Sequence, residues 1–470
     1  MLAVGRPFQF VLVSLGISSM LATLILLCGG FRKDSFEPSA LPKVQIFDPK
    51  AQSKNSAMDA TTVTTTVYIE PTRISYDDQL LLVKETATPS CKENLQPDVN
   101  YITGWPQFGW NNQVIGMMNL LYLALIMERV PIIPPFEPFK NSHVDASASV
   151  NFSKLFDLPR LKQELGIPIL EWWQVKDFEQ SSVVDQLGCW SLERGAWHAS
   201  WVTPQPTHLK LDISYSVAPS WIKRVRENYT DMHSTFWGLA KLGFDDTRPT
   251  NLTTIPSPVN QISLIPDDSF LCFDNLYFVC AHEGLEINER AVSPAWRFIG
   301  RYMHYTPRMR EIADRYIRKT FNIEPSAPSP PYIAVHARRT NYNFANSCGE
   351  VDECLPPLSA FVRRVEDIKA ELAVKGVEVK NVVMTSDESD SSWWGEVYRL
   401  GWTQLDHSGT AQDYGPWYPT FIDSVVLAGG VGLVGTDIST MSFLAKRRVI
   451  EWNGGVAKIV LWGHAGADDH

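Results

Sequence analysis

Two arginines and a histidine follow directly on a strand-like segment. Residues 332–344 read YIAVHARRTNYNF, in which the apolar start predicts a buried strand and His336, Arg338 and Arg339 come at its carboxyl end. Arginine is planar, permanently charged and rich in donors, which suits a pyrophosphate. Because alternate residues of a strand share a face, we expect His336 and Arg338 to point the same way and Arg339 to point away. The alternative is a pair of arginines held by ion pairs at the rim of a sheet, with no ligand.

Strands and helices alternate around this segment. The strands predicted after it read VVMTSD, VGLVGT and VIEW, and the helices between them read LSAFVRRVEDIKAEL, DSVVLAGG and ISTMSFLAKR. The N-terminal half opens in the same way, with VNYITGW, NQVIGMMNLLYLALIMER and VPIIPPF. Such alternation predicts an α/β fold with parallel sheets covered on both faces. Ligands in open α/β sheets bind beyond the carboxyl ends of the strands, so we expect a cleft there.

Composition divides the chain into domains. Residues 31–90 are rich in Ser, Thr and Lys, which predicts a flexible stem. The stretch EPSAPSPP at 324–331 can neither continue a helix nor supply many donors to a sheet. We interpret it as the boundary between an N-terminal lobe at 91–324, expected on the acceptor side, and a C-terminal lobe at 331–470.

An uncharged apolar run occupies residues 8–28. It is about as long as a bilayer-spanning helix, so residues 1–30 are predicted to form a membrane anchor with a short cytoplasmic end. A cleaved signal peptide is the alternative, although its apolar region usually spans about 7–15 residues. In both cases the body enters the secretory pathway. We expect a single-pass protein that faces the lumen of the Golgi or the endoplasmic reticulum, or a secreted one if the run is cleaved.

Acceptor triplets and charge agree with a lumenal body. Acceptors for N-glycosylation begin at Asn151, Asn228 and Asn251. The net charge of −10 argues against a nucleic-acid binder, because no basic excess is present to neutralise phosphates.

Six of the seven cysteines lie outside the apolar run, an even number that suits an oxidising compartment. Sequence spacing suggests local bridges within Cys348/Cys354 and Cys272/Cys280, which leaves Cys91 and Cys189, but the pairing is not fixed by sequence. Spacings typical of metal sites, such as C-x-x-C, do not occur.

Four segments in order resemble the motifs of the GDP-fucose protein O-fucosyltransferase family. GWPQFGWNNQ opens an apolar helix that leads to RVPIIPPF, as in the N-terminal family motif. VHARRTN resembles the family's His-x-Arg strand end, VVMTSDE its strand ending in Thr-Asp, and GTDISTMSFLAKRR its Ser-Ser-Phe turn and following helix. The resemblance covers residues 101–136, 332–341, 382–388 and 423–452.

The resemblance implies a GT-B-like fold of two Rossmann-like lobes with a cleft between them. It further implies inverting transfer of fucose from GDP-fucose to a hydroxyl of a protein or glycan acceptor, with no cofactor and no metal. The absence of an Asp-x-Asp sequence agrees with a metal-free reaction. The alternatives are a transferase that uses another nucleotide sugar, and a non-catalytic descendant that binds glycans or proteins.

Motif positions assign the expected site. The essential family arginine corresponds to Arg338, which would hold the diphosphate and offset the charge growing on the leaving oxygen. His336 would contact the nucleotide or set the geometry of Arg338. Asn112 corresponds to the motif Asn near a helix start, where a phosphate is favoured, although an N-cap role is the alternative. Asn111 fits either role.

The remaining expected donor contacts are Ser439, Thr440 and Met441, which correspond to the family's Ser-Ser-Phe, although Met441 lacks the aromatic ring. Asp387 is expected either to bind guanine or ribose or to cap the next helix. Asn341 stands where relatives carry Asp. No Glu lies in the Gly-rich turn, so the general base is left unassigned.

Overall fold

The computed structural model describes residues 82–138, 149–192, 204–225, 228, 231–281, 293–339, 355–462 and 466–468. The predicted anchor at 8–28 and most of the predicted stem lie outside these residues. Among the residues described, no helix is both long and apolar enough to cross a bilayer.

The N-terminal lobe is built on a seven-stranded sheet in the order β3-β2-β1-β8-β4-β5-β7. Its neighbouring strands run parallel except for β7, which pairs antiparallel with β5 at the edge. Two further strands, β6 and β9, form a separate parallel pair. The strands of this lobe are β1 (Tyr101–Gly104), β2 (Val130–Ile133), β3 (Leu170–Glu171), β4 (Asp185–Ser191), β5 (Leu211–Val217), β6 (Ser234–Thr235), β7 (Thr254–Ile255), β8 (Phe270–Phe273) and β9 (Val279–Cys280).

The C-terminal lobe has an all-parallel sheet in the order β11-β10-β12-β13. Its strands are β10 (Tyr332–Ala337), β11 (Asn381–Ser386), β12 (Gly432–Thr436) and β13 (Val456–Val460). The predicted strand VIEW is wrong, because residues 449–452 continue a helix that ends only where Gly454 takes a left-handed backbone, with φ of 61°. The last strand therefore begins after that glycine.

Helices cover both sheets and connect the strands. The helices are α1 (Cys91–Asn94), α2 (Trp110–Ile126), α3 (Phe152–Leu155), α4 (Leu158–Leu165), α5 (Trp172–Val175), α6 (Pro204–His208), α7 (Phe236–Lys241), α8 (Pro294–Phe298), α9 (Pro307–Thr320), α10 (Leu358–Val374), α11 (Ser391–Arg399), α12 (Thr410–Tyr414), α13 (Tyr418–Gly429) and α14 (Thr440–Asn453). Two α/β sheets, one all parallel and one parallel except at its edge strand β7, confirm the predicted fold class and its GT-B-like pair of lobes.

Each large sheet reverses its direction of winding at one strand. β1 lies between β2 and β8, and β10 lies between β11 and β12. The strands that follow each of them in the chain are therefore placed on both of its sides in the sheet. Crevices form at such switch points, beyond the carboxyl ends of the strands. The loop after β1 and the residues after β10 therefore occupy the positions where an α/β sheet binds ligands.

The disulfide differs from the suggested pairing. Cys189 is bonded to Cys272, so the suggested bridge between Cys272 and Cys280 is wrong. The reason is the strand order, because β4 and β8 are neighbours in the sheet although 83 residues separate the two cysteines in sequence. The other suggested bridge involves residues outside the described part of the chain.

The end of the predicted stem packs on the N-terminal lobe. Val83 is fully buried, and the Ser90 hydroxyl donates to the carboxylate of Asp185, 2.5 Å away. The same carboxylate forms a buried ion pair with Lys176, with 2.7 Å between Nζ and Oδ2. Val83 and Ser90 thus belong to the buried part of the lobe.

Trp110 joins the two lobes at the first residue of α2. Its ring lies 4.6 Å from that of Phe136 in the N-terminal lobe and 4.6 Å from that of Phe421 in the C-terminal lobe. Its indole Nε1 donates to the Ser424 hydroxyl on α13, at 2.9 Å. The hydrophobic core is therefore continuous across the lobe boundary.

We predict that Trp110→Ala lowers the free energy of unfolding by about 3–5 kcal/mol, because it empties a fully packed site between the lobes. Trp110→Phe keeps a ring but loses the hydrogen bond to Ser424, and should cost about 1–2 kcal/mol. Trp237→Ala is the control, since that side chain is 68% exposed and should change stability by less than about 0.5 kcal/mol. Chemical denaturation measures all three. Equal stabilities for Trp110→Ala and the control would contradict this role.

Candidate functional site

The carboxyl ends of β10 and β12 are tied together by one threonine. The Thr436 hydroxyl donates to the main-chain oxygen of His336 (2.8 Å) and accepts from the main-chain N–H of Arg338 (3.0 Å). β10 ends at Ala337, so Arg338 and Arg339 lie just beyond the strand rather than within it. Thr436 thus fixes the backbone from which both arginine side chains leave the sheet. Sequence reasoning missed it, although it ends the predicted strand VGLVGT.

The two arginines have different surroundings, and because both lie beyond the strand, the predicted alternation of their directions does not apply to them. The Arg338 Nε lies 3.1 Å from the Asp387 carboxylate, and its side chain is 40% exposed. Arg339 is 16% exposed, forms an ion pair of 2.6 Å with Glu388, and lies over the ring of Trp393. Arg339 therefore matches the structural alternative of an arginine held at the rim. Arg338 pairs with the Asp387 carboxylate and remains accessible at the switch point.

Asp387 is bound by both arginines. Besides the ion pair with Arg338, its carboxylate accepts a hydrogen bond of 2.6 Å from the main-chain N–H of Arg339. The expected alternative that Asp387 caps the following helix is wrong, because α11 begins at Ser391 and its N-cap is Asp390. Asp387 is thus placed to orient the arginine beside it.

His336 is a buried, neutral neighbour of this pair. Its Nδ1 lies 2.8 Å from the Ser442 hydroxyl, which also accepts the main-chain N–H of Thr436. The pKa of His336 is lowered to about 4, chiefly by burial, with Asp387 opposing the shift and Arg338 adding to it. The imidazole is therefore uncharged at neutral pH and holds the strand end and α14 together.

The turn between β12 and α14 carries the other expected donor contacts. Ser439 is the N-cap of α14, and its hydroxyl accepts from the main-chain N–H of Ser442. Thr440 opens the helix, and Met441 packs partly buried against the core. Part of the Met441 side chain therefore packs in the interior and is not available to a ligand in the cleft.

Ile438 in this turn adopts a left-handed backbone with φ of 56° and is 70% exposed. This conformation is sterically unfavourable for a β-branched residue, and an exposed side chain gains little burial energy to offset the strain. The turn is held from both sides: the main-chain N–H of Asp437 donates to Val460 O, and Trp462 Nε1 donates to Asp437 O. The surroundings thus impose the strained backbone on Ile438.

The N-terminal lobe contributes the start of α2. The N-cap of this helix is Gly109, so the N-cap alternative for Asn112 is wrong. Instead, the Asn112 Oδ1 accepts a hydrogen bond of 2.8 Å from the Thr440 hydroxyl across the cleft. Asn111 is 6% exposed, and its Oδ1 has no hydrogen-bond partner. The starts of α2 and α14, with their positive dipole ends, therefore meet at one place.

The structure thus brings Asn112, Thr440, Ser439, His336 and Arg338 together around the two switch points. Asn341 lies outside the described residues. Within the described ranges, no group of three or more His, Cys, Asp or Glu side chains is arranged to hold a metal ion. The arrangement is suited to an anion placed between an arginine and two helix starts.

Comparison with known proteins gives one family match. A family model described as GDP-fucose protein O-fucosyltransferase matches residues 101–449. No curated protein matches the sequence.

Two solved fucosyltransferases illustrate the structural similarity. POFUT1 in complex with GDP-fucose is 14% identical, with 78% of this chain and 99% of that chain covered and a TM-score of 0.49. The fucosyltransferase NodZ from Bradyrhizobium is 11% identical, with 74% and 93% covered and a TM-score of 0.37. Similarity at this level supports no residue-level conclusion, so the assignment rests on the family match.

We predict that Ile438→Asn raises the free energy of unfolding by about 1 kcal/mol, because asparagine tolerates the left-handed backbone far better. Val259→Asn is the matched control: Val259 is β-branched and 67% exposed, but its backbone is not left-handed, so no gain is expected. Urea denaturation compares the two variants with the wild type. A loss of stability in Ile438→Asn would show that the isoleucine is not strained.

Proposed function

Because the chain belongs to the GDP-fucose protein O-fucosyltransferase family, we propose that it transfers fucose from GDP-fucose to a hydroxyl of a protein or glycan acceptor, with inversion and without a metal ion. The enzyme is a fucosyltransferase. The observation that carries the finer proposal is Arg338, an accessible guanidinium at the switch point of the C-terminal sheet.

Arg338 supplies the positive charge that the departing GDP needs. As the bond between fucose and the β-phosphate breaks, negative charge grows on the leaving oxygen, and a preorganised cation stabilises it. Asp387 fixes the guanidinium through Nε, and Thr436 fixes the backbone, so little reorganisation is required. A charge held in this way supports the proposal that no divalent metal is needed.

The diphosphate fits between the two helix starts. Asn112 and Thr440 already contact each other there, and Ser439 ends the loop from β12. Main-chain N–H groups and the dipole at a helix start favour phosphate oxygens. The neutral His336 adds no charge, and its hydrogen bond to Ser442 holds the end of β10 against α14.

We further propose a lumenal location, with the run at 8–28 as a membrane anchor. Supporting features are the Cys189–Cys272 disulfide, which is typical of an oxidising compartment, and the exposure of the acceptor residues Asn228 and Asn251. The acceptor faces the N-terminal lobe in this proposal.

We predict that Arg338→Ala weakens GDP binding by about 10–100-fold, because hydrogen bonds to charged groups contribute about 1.5–3 kcal/mol each. Arg338→Lys keeps the charge but loses the planar fork, so an intermediate loss is expected. Arg363→Ala is the control, since that arginine is similarly exposed (42%) and pairs with Asp468 elsewhere in the same lobe.

Calorimetric titration of GDP into the full chain, with and without EDTA, measures these affinities, and turnover of GDP-fucose follows. Wild-type binding that persists in EDTA and is lost in Arg338→Ala supports the proposal. A folded wild type that does not bind GDP would overturn the donor site, and loss of binding in EDTA would overturn metal independence.

A further inference from the structure

Most buried carboxylates of the N-terminal lobe have structural partners. Each accepts hydrogen bonds from main-chain N–H groups or hydroxyls, or forms an ion pair, and all are at most 7% exposed; they are Glu171, Asp185, Asp212, Asp231 and Asp274. Their bonds account for their burial, because a satisfied carboxylate holds loops and strand ends in place.

Glu137 is the exception among the described residues of this lobe. It is 1% exposed, yet neither carboxylate oxygen has a hydrogen-bond partner. Its main chain is nevertheless fixed, because its N–H donates to Gln113 Oε1 (3.1 Å) and its C=O accepts from Gln113 Nε2 (2.6 Å). A buried carboxyl without partners destabilises a fold, so structure alone gives no reason for a glutamate here.

The position of Glu137 points to the cleft. It follows β2, which pairs directly with β1, the strand at the N-terminal switch point. Its partner Gln113 is the residue after Asn112, whose side chain reaches Thr440 in the donor half. The main chain of Glu137 is therefore anchored to the first turn of α2, next to the residue that reaches the donor half.

We propose that Glu137 is the general base, the carboxylate that takes the proton of the acceptor hydroxyl; this inference rests on the proposed function. In the step, the acceptor oxygen forms a bond to C1 of fucose as the bond from C1 to the phosphate oxygen breaks. GDP leaves with the electron pair beside Arg338. The hydroxyl proton passes to Glu137, which returns it to solvent after product release.

Electrostatics agrees with this role. Burial raises the pKa of Glu137 to about 8, and no charged neighbour contributes to that shift. A base with a pKa close to the working pH is effective in proton transfer. Because the ionised form is the active one, the rate should increase with pH up to about 8 and then level off.

The test uses the full chain and GDP-fucose, with water as the acceptor hydroxyl. In Glu137→Gln we expect hydrolysis to fall by about 100-fold or more while the Kd for GDP stays within about twofold, since a base acts on chemistry rather than on donor binding. The increase of rate with pH should also disappear. Glu171→Gln is the matched control: it alters a buried glutamate with partners, and it should keep the wild-type pH profile.

Sodium azide separates catalysis from folding. Azide has no proton to lose, so it should restore turnover in Glu137→Ala and yield fucosyl azide, which a misfolded variant would not do. Wild-type hydrolysis in Glu137→Gln, or no rescue by azide in a variant that still binds GDP, would overturn this inference alone. Absence of GDP binding and turnover in the wild type would instead overturn the proposed function.

Discussion

The packing of Trp110 between the lobes is the constraint on which the geometry of the cleft depends. Its ring is held by aromatic side chains from both lobes, and it is the first residue of α2. Once that residue is fixed, the rest of the first turn of α2 directs Asn112 toward the donor half and Gln113 toward the loop after β2. The buried packing of Trp110 thereby sets the positions of the site residues at the start of α2 relative to both lobes.

Charge is distributed in the site according to exposure. Arg339 is stacked and paired in a largely buried setting, where its loss would leave Glu388 without its cation. Arg338, one residue away, keeps two-fifths of its side chain accessible. The two arginines can have such different surroundings because the strand ends at Ala337, and the alternation of side chains between the two faces of the sheet does not continue beyond it. Neutral His336 completes the arrangement without competing for an anion.

Local patterns predicted the parts of the fold that local physics decides. Short apolar strands alternating with helices were sufficient to predict two mainly parallel sheets, and the same pattern placed Arg338 at the carboxyl end of a strand, just beyond which it lies. The disulfide could not be read from spacing, because Cys189 and Cys272 become neighbours only through the strand order. The contact of Asn112 with Thr440 spans 328 residues and has no local signal.

The surroundings of Cys91 have a consequence for how the disulfide survives. Burial and the nearby Asp185 raise the pKa of the Cys91 thiol far above its usual range, so the nucleophilic thiolate is almost absent. Cys91 belongs to the same apolar cluster as Cys189 and Cys272, and attack on their bridge would require an ionised thiol. The folded lobe therefore suppresses thiol–disulfide exchange from within, and scrambling of the bridge by Cys91 requires the lobe to open first.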